Sequence, residues 1–255
     1  IPVTASGNHL EQPEAAYLRT GTTYEDSVEL TRIDGTLWMH VSYTEHGNSL
    51  ESSNGLVLLA EDGALLINTP GNDLQTRRLC TLIRQSFQVD VEAVVLTSTH
   101  SASAGGVDLL SGEGIPMYAT AQVADAMNAT NSRMDNLNRL VERAVSLKYH
   151  GKSIQVVQPE IAAELPDAVV WLPDEGTLYA RSLIFGEDSM LPARLEPAAL
   201  QKWHAFLTQW MVSYDQTVLF VPKSGEWGPI ALLDFTLARI ADKLPKHLTP
   251  SAIEW

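Results

Sequence analysis

Cysteine is almost missing from this chain: there is one, Cys80, in 255 residues. An intrachain disulfide is therefore excluded. Cys80 falls in "LQTRRLCTLIRQSF", a helical pattern, and is expected to be a small buried apolar group. Positive charge is scarce as well. Seventeen Lys and Arg face thirty-one Asp and Glu, for a formal net charge of −14. Such a surface repels phosphate backbones and anionic lipid, so neither nucleic acid nor membrane is expected as a partner. No run is apolar enough to span a bilayer. No low-complexity linker divides the chain, and no short repeat recurs in it. The G-x-S-x-G turn of serine hydrolases is absent from the sequence.

What is present points to a packed globular protein. Hydrophobic residues make up 45 % of the chain, and its length suits one large domain with a sizeable core. Residues 1–26 are polar and read as a loosely attached arm. "VELTRIDGTLWMHVSY" holds two strand-like runs around Asp34-Gly35, a hairpin signal, and "NGLVLLAEDGALLINTP" repeats it around Asp62-Gly63. Leu79, Leu82, Ile83 and Phe87 mark one face of a helix over about 73–87. "VEAVVLTST" reads as a buried strand. A short helix, the strand "MYAT", and helices near 121–128 and 135–147 are expected next. The second half opens with the strand-like runs "SIQVVQP", "DAVVWLP" and "TLYARSLIF". A helix over about 196–212, the strand "TVLFVP" and a last helix over about 229–243 follow. Two mixed sheets packed face to face, with helices outside, would bury one face of each.

One stretch reads as a shelf for chemistry. "VVLTSTHSASAGGVDLL", from Val94 to Leu110, leaves a β-branched strand, crosses a polar turn and a Gly-Gly pair, and starts a helix. Strand ends of this kind commonly carry function in α/β proteins. Yet the turn has a single histidine, several Ser and Thr, and no carboxylate before Asp108.

The motifs "LWMHVSY", "SSNGLVLL", "LLINTPGND", "GGVDLLSGEGIPMYAT", "DAVVWLP" and "VPKSGEWG", in this order and spacing, resemble the metallo-β-lactamases, in particular the two-zinc subclass. The resemblance spans roughly residues 28–243. It implies an α+β fold, a four-layer αββα sandwich, as one domain over 1–255 with 1–26 as the arm. It also implies an active site in a cleft at one edge of the sandwich, and export to the periplasm or out of the cell. The start of the chain at Ile1 and its free cysteine are compatible with export.

The family's zinc ligands carry over one at a time. H-x-H-x-D falls on "STHSA", so the two histidines fall on Ser98 and His100 and the aspartate on Ala102. The third histidine falls on Ala163, the cysteine on Ser182 and the last histidine on Ser224. His100 is the position that keeps its ligand. Zinc needs about four imidazole, thiolate or carboxylate donors, and without it no bound water is acidified. The resemblance therefore implies a pseudoenzyme: no zinc or other cofactor, no lactam hydrolysis, and an unknown small molecule or protein as ligand of the old cleft, most simply as a monomer. The family's usual aspartate after "ALLI" is Asn68 here, its substrate-binding lysine is Phe185, and its substrate-binding asparagine is Arg194. Gly105, Gly106, Pro222, Gly225, Glu226 and Gly228 persist as scaffold, the Gly-Gly pair for close packing at the helix start. Replacing the anionic ligands by Ala102 and Ser182 avoids stranding buried charge.

Two enzymatic alternatives stand beside that reading. A rearranged metal site would use His46 and His100 with Glu164 or Glu160. A metal-free hydrolase of a lactam, ester or amide would pair Ser98, Ser182 or Ser224 with His100, with Arg181 and Lys223 as nearby positive charge. Trp227, in the cleft loop "KSGEWG", is a candidate to stack on a ligand or to pack on the last helix. His40 reads as structural, and Trp38, Trp171, Trp203 and Trp210 as packing residues.

Overall fold

A computed structural model describes residues 16–46, 49–129, 136–162, 165–186, 191–192 and 195–245. Among the described residues the chain forms two sheets, of eight and five strands. The first runs β1 (Tyr17–Thr20), β2 (Val28–Asp34), β3 (Leu37–His46), β4 (Ser49–Leu59), β5 (Gly63–Ile67), β6 (Asp90–Leu96), β7 (Met117–Thr120), β8 (Leu137–Leu140), each beside its neighbour in sequence. Strands β1 to β5 pair antiparallel. From β5 onward the pairs are parallel. Parallel pairs need crossovers. These are α1 (Asp73–Phe87), α2 (Ser101–Ala104) with α3 (Val107–Gly112), and α4 (Ala121–Ala129).

The second sheet holds β9 (Ala144–Tyr149), β10 (Lys152–Val157), β11 (Val169–Leu172), β12 (Thr177–Tyr179) and β13 (Leu219–Val221), in the order β13-β12-β11-β10-β9. Its pairs are antiparallel except β12 with β13, which are joined through α5 (Pro197–Ser213). Helix α6 (Ile230–Lys243) closes the described chain.

The period-two alternation of strands explains the layers. On the second sheet Val156, Val170, Leu172, Tyr179 and Val221 join the large core shared with the first sheet. The intervening Val169, Trp171, Leu178 and Phe220 face a smaller core under α5 and α6, with Trp203, Leu207, Trp210 and Leu233. On the first sheet, β5 is buried along its whole length, as expected of a strand covered on both faces. Helix α1 covers its outer face through Leu79, Ile83 and Phe87. It starts at Asn72, whose side chain accepts a hydrogen bond from Gln75 N at 2.8 Å, and ends at Gln88 in the left-handed conformation. The result is helix, sheet, sheet, helix: the αββα sandwich.

Three sequence expectations are corrected. The described end of the arm is not loose: Tyr17–Thr20 adds a strand to β2, and Arg78 on α1 reaches Asp26 at 2.7 Å. The helix expected over 135–147 is instead β8 and β9. The open edge of β7 takes β8 as a partner, and pairing overrides helical spacing there. His150 and Gly151 both have positive φ and close the hairpin Tyr149↔Lys152, a tight-turn signal just past the end of the expected helix. "TLYARSLIF" is strand only to Tyr179. Its continuation turns, with Leu183 N and Ile184 N both donating to Ala180 O.

Candidate functional site

The candidate cleft lies where the ends of β4, β5 and β6 meet the ends of β11, β12 and β13. Its floor is a buried neutral network. Asn68, just past β5, has a positive φ of 65°. Asparagine tolerates that region better than most residues. Its Oδ1 accepts from Thr97 N at 2.9 Å, while Nδ2 donates to Thr97 Oγ1 at 2.8 Å and to the Tyr179 hydroxyl at 2.9 Å. Tyr179 donates in turn to Asn54 O at 2.7 Å. Asn54 Nδ2 donates to Pro222 O and Gly225 O at 3.1 and 2.9 Å, which ties the loop after β13 to the first sheet. Every step uses an uncharged group. Burial pushes the Tyr179 hydroxyl up to about 12, so it stays protonated.

The shelf after β6 is one wall. Ser98 is buried, and its Oγ accepts from His100 N at 3.2 Å. His100 Nδ1 accepts from Ala102 N at 3.3 Å and so caps the four-residue α2. That contact uses the lone pair of Nδ1 and leaves the neutral ring's proton on Nε2. Partial burial, then the positive charges of Arg181 and Lys223, hold the His100 pKa below its usual value. Ala102 is buried and offers no donor atom. Gly105 and Gly106 are required by close approach. An added Cβ would lie 2.1 Å from Gly71 O at the first and 2.0 Å from Thr76 Oγ1 at the second.

The facing wall is charged. Arg181 is only 3 % exposed. Its Nε donates to Ser103 Oγ at 2.5 Å, and its Nη1 to Ser182 Oγ at 3.0 Å and toward Asp167 Oδ2 at 3.4 Å. Ser182 Oγ donates to the same Asp167 oxygen. Ser103 Oγ also meets Ser53 Oγ at 3.1 Å. Nη2 of Arg181 is buried without a hydrogen-bond partner. The cause is hairpin register. β11 and β12 pair Val170 with Tyr179, and extending that register sets Asp167 opposite Ser182.

The other expected cleft residues divide. Lys223 is half-buried, with Nζ 3.9 Å from Glu51 Oε2. Ser224 lies half-buried on the same loop, which a bridge between Phe220 and Gly228 closes. Trp227 packs against the large core, which is the packing alternative, although the face it meets is that of the sheets. Phe185 is corrected: it is 5 % exposed, lies 5.5 Å from the Trp203 ring, and belongs to the smaller core rather than the cleft. Arg181, expected as nearby positive charge, is a buried and hydrogen-bonded cation. Glu160 pairs with Arg143. Ala163, Glu164 and Arg194 lie outside the described residues, as does the side chain of His46.

Beside the shelf is a pocket of about 720 Å³ bordered by Tyr43–Glu45, the Gly71–Leu74 loop and Gly105, with Glu25, Glu45, Asp73 and Asp108 around it. Sequence reading missed Asp167, Asn54, Ser103 and Tyr179 as site residues. The register of the hairpin after "DAVVWLP" is the signal that would have found Asp167 beside Ser182.

The fold and the cleft at the sheet ends define a class: a β-lactamase-like αββα sandwich. No family model matches the chain. It is 25 % identical to the type 2 metallo-β-lactamase of Bacillus cereus over 211 residues, covering 83 % of this chain and 82 % of that one. It is 23 % identical to the type 2 enzyme of Bacteroides fragilis over 225 residues, covering 88 % and 90 %. A solved metallo-β-lactamase from Pontibacter korlensis superposes with a TM-score of 0.76 at 23 % identity, covering 85 % of this chain and all of that one. Over most of its length the chain is thus similar in sequence to metallo-β-lactamases, and it shares their fold.

Proposed function

We propose that this chain is a metal-free member of the metallo-β-lactamase family, one that does not hydrolyse β-lactams and whose cleft binds a small molecule or a protein. The observation that carries the reading is the Arg181–Asp167–Ser182 cluster. Where the resemblance places a thiolate ligand there is a hydroxyl already bonded to a carboxylate and a guanidinium. The other described positions agree. Ser98 Oγ is bonded within its own turn, Ala102 has no donor, and Nδ1 of His100 caps α2. Among the described residues no three His, Cys, Asp or Glu side chains gather as a metal would require. The donors present do not fit a zinc ion, so the proposal contains no metal-activated water.

The test is the metal content of the purified protein after dialysis against zinc without chelator, with lactam turnover measured alongside. The expected result is less than about a tenth of an equivalent of zinc and turnover at background. About one or two equivalents, lost on His100→Ala, would sink the reading. Thermal-shift screening of small molecules then seeks the ligand. We also propose export to the periplasm or cell exterior and a monomeric state, which cell fractionation and light scattering check. A cytoplasmic pool or a stable dimer would refute the respective point.

A further inference from the structure

The cluster at the β11–β12 end does more than fill the place of lost ligands. Asp167 is a carboxylate only 6 % exposed, and a buried carboxylate needs a positive partner. Ser182 supplies it with a hydrogen bond but no charge. Arg181 supplies the charge from a rigid planar group that stays protonated. The guanidinium is fixed at three sides: Ser103 on the first sheet's shelf, and Asp167 and Ser182 on the second sheet's hairpin. Its charge is felt at His100, where it is the largest charge acting on the imidazole. One group thus bridges the two walls of the cleft, and one of its partners, Ser182, stands at a carried-over ligand position.

We propose that the Arg181 guanidinium is a built-in replacement for the metal: it provides the cation that joins the two walls and neutralises Asp167, and it makes the site repel divalent ions. This rests on the metal-free reading. It adds a cause for that state: restoring ligands is not enough while Arg181 stays. Like charges a few ångströms apart in a poorly solvated site repel strongly.

The test compares thermal unfolding of the native chain, Arg181→Lys, Arg181→Gln and the double variant Arg181→Gln/Asp167→Asn, each in EDTA and in excess zinc. The native chain and Arg181→Lys should unfold at the same temperature in both media. Arg181→Gln in EDTA should unfold roughly 10 °C lower, the loss expected when one partner of a buried pair is removed. In zinc it should recover part of that loss, because the uncovered Asp167 now welcomes a cation that binds only the folded state. The double variant should regain most of the native midpoint in EDTA and ignore zinc.

An Arg181→Gln midpoint equal to native in EDTA overturns the proposal, as does one lowered equally with and without zinc. If Arg181→Gln does not fold in EDTA, the double variant decides. A folded double variant supports the charge account, and failure of both overturns it. Zinc stabilising the native chain would instead refute the metal-free reading, so the two failures are distinct.

Discussion

Asn68 and Arg181 anchor two buried polar clusters at the same end of the sandwich, and the two are built on different principles. Around Asn68 every group is neutral, and both side-chain polar atoms of the asparagine are hydrogen-bonded. The network crosses from the first sheet to the second through Tyr179 and on to the loop after β13 through Asn54. Around Arg181 the groups are charged, the cation is held by three partners, and one nitrogen is left over. The neutral cluster also leaves one atom over, Asn54 Oδ1, but it carries no charge and fixes the junction of the sheets. The charged one depends on the balance of a single pair. A buried polar group is stable when its partners are all made, and a buried charge when its opposite is present.

The strongest way to break the contrast is to put charge into the neutral cluster. Asn68→Asp removes both Nδ2 donors and buries a carboxylate with no cation beside it. It should cost about 3–5 kcal/mol at neutral pH, read by urea unfolding. A loss of less than about 1 kcal/mol, the size of one ordinary hydrogen bond, would show the network to be more adaptable than drawn.

His40 sharpens the comparison, because it is a titratable group only 1 % exposed, with no charged partner. Burial lowers its pKa from 6.5 to about 4. The folded state therefore resists a proton that the unfolded state accepts. Stability from this group is full above pH 6.5 and drains as pH falls toward 4, by about 3 kcal/mol in all. His100 and His204 are lowered as well and act with the same sign. Unfolding in urea across this range should show the slope, and His40→Gln should flatten most of it. An unchanged slope in that variant would assign the effect elsewhere.

Tyr179→Phe tests a single link of the neutral network. It strands Asn54 O and frees one Asn68 donor, and should cost about 1–3 kcal/mol, measured as the urea midpoint. His100→Ala comes next. Loss of its cap on α2 should cost about 1 kcal/mol, with zinc content unchanged, which a ligand role would not allow. The smallest expected effect is that of Ser182→Cys. A lone thiol beside Arg181 should leave zinc content and lactam turnover at background, and measurable turnover would contradict the drawn cleft.

Much of the fold was legible along the chain. The helix face Leu79, Ile83 and Phe87, the turns at Asp34-Gly35 and Asp62-Gly63, and the buried run of β6 are local signals read from local periods. The segment 135–147 was not legible. Its spacing suits a helix, and only the unpaired edge of β7 and the turn at His150-Gly151 recruit it into strands. Cys80 was legible in type: it is partly buried, and burial pushes its thiol up to about 11, far from a reactive thiolate.

The sequence by itself determined which donors are present at the carried-over positions, since no folding turns Ala102 or Ser182 into a ligand. It determined too that Gly105 and Gly106 must admit close backbone contact. Tertiary structure alone decided what surrounds those positions. Phe185 went to the core and Arg181 into the cleft wall, although they stand four positions apart on one turning segment. Asp167 met Ser182 because a hairpin register brought them opposite each other. Partners of a buried charge are chosen by proximity in space, and a linear sequence sets that proximity only after its strands have paired.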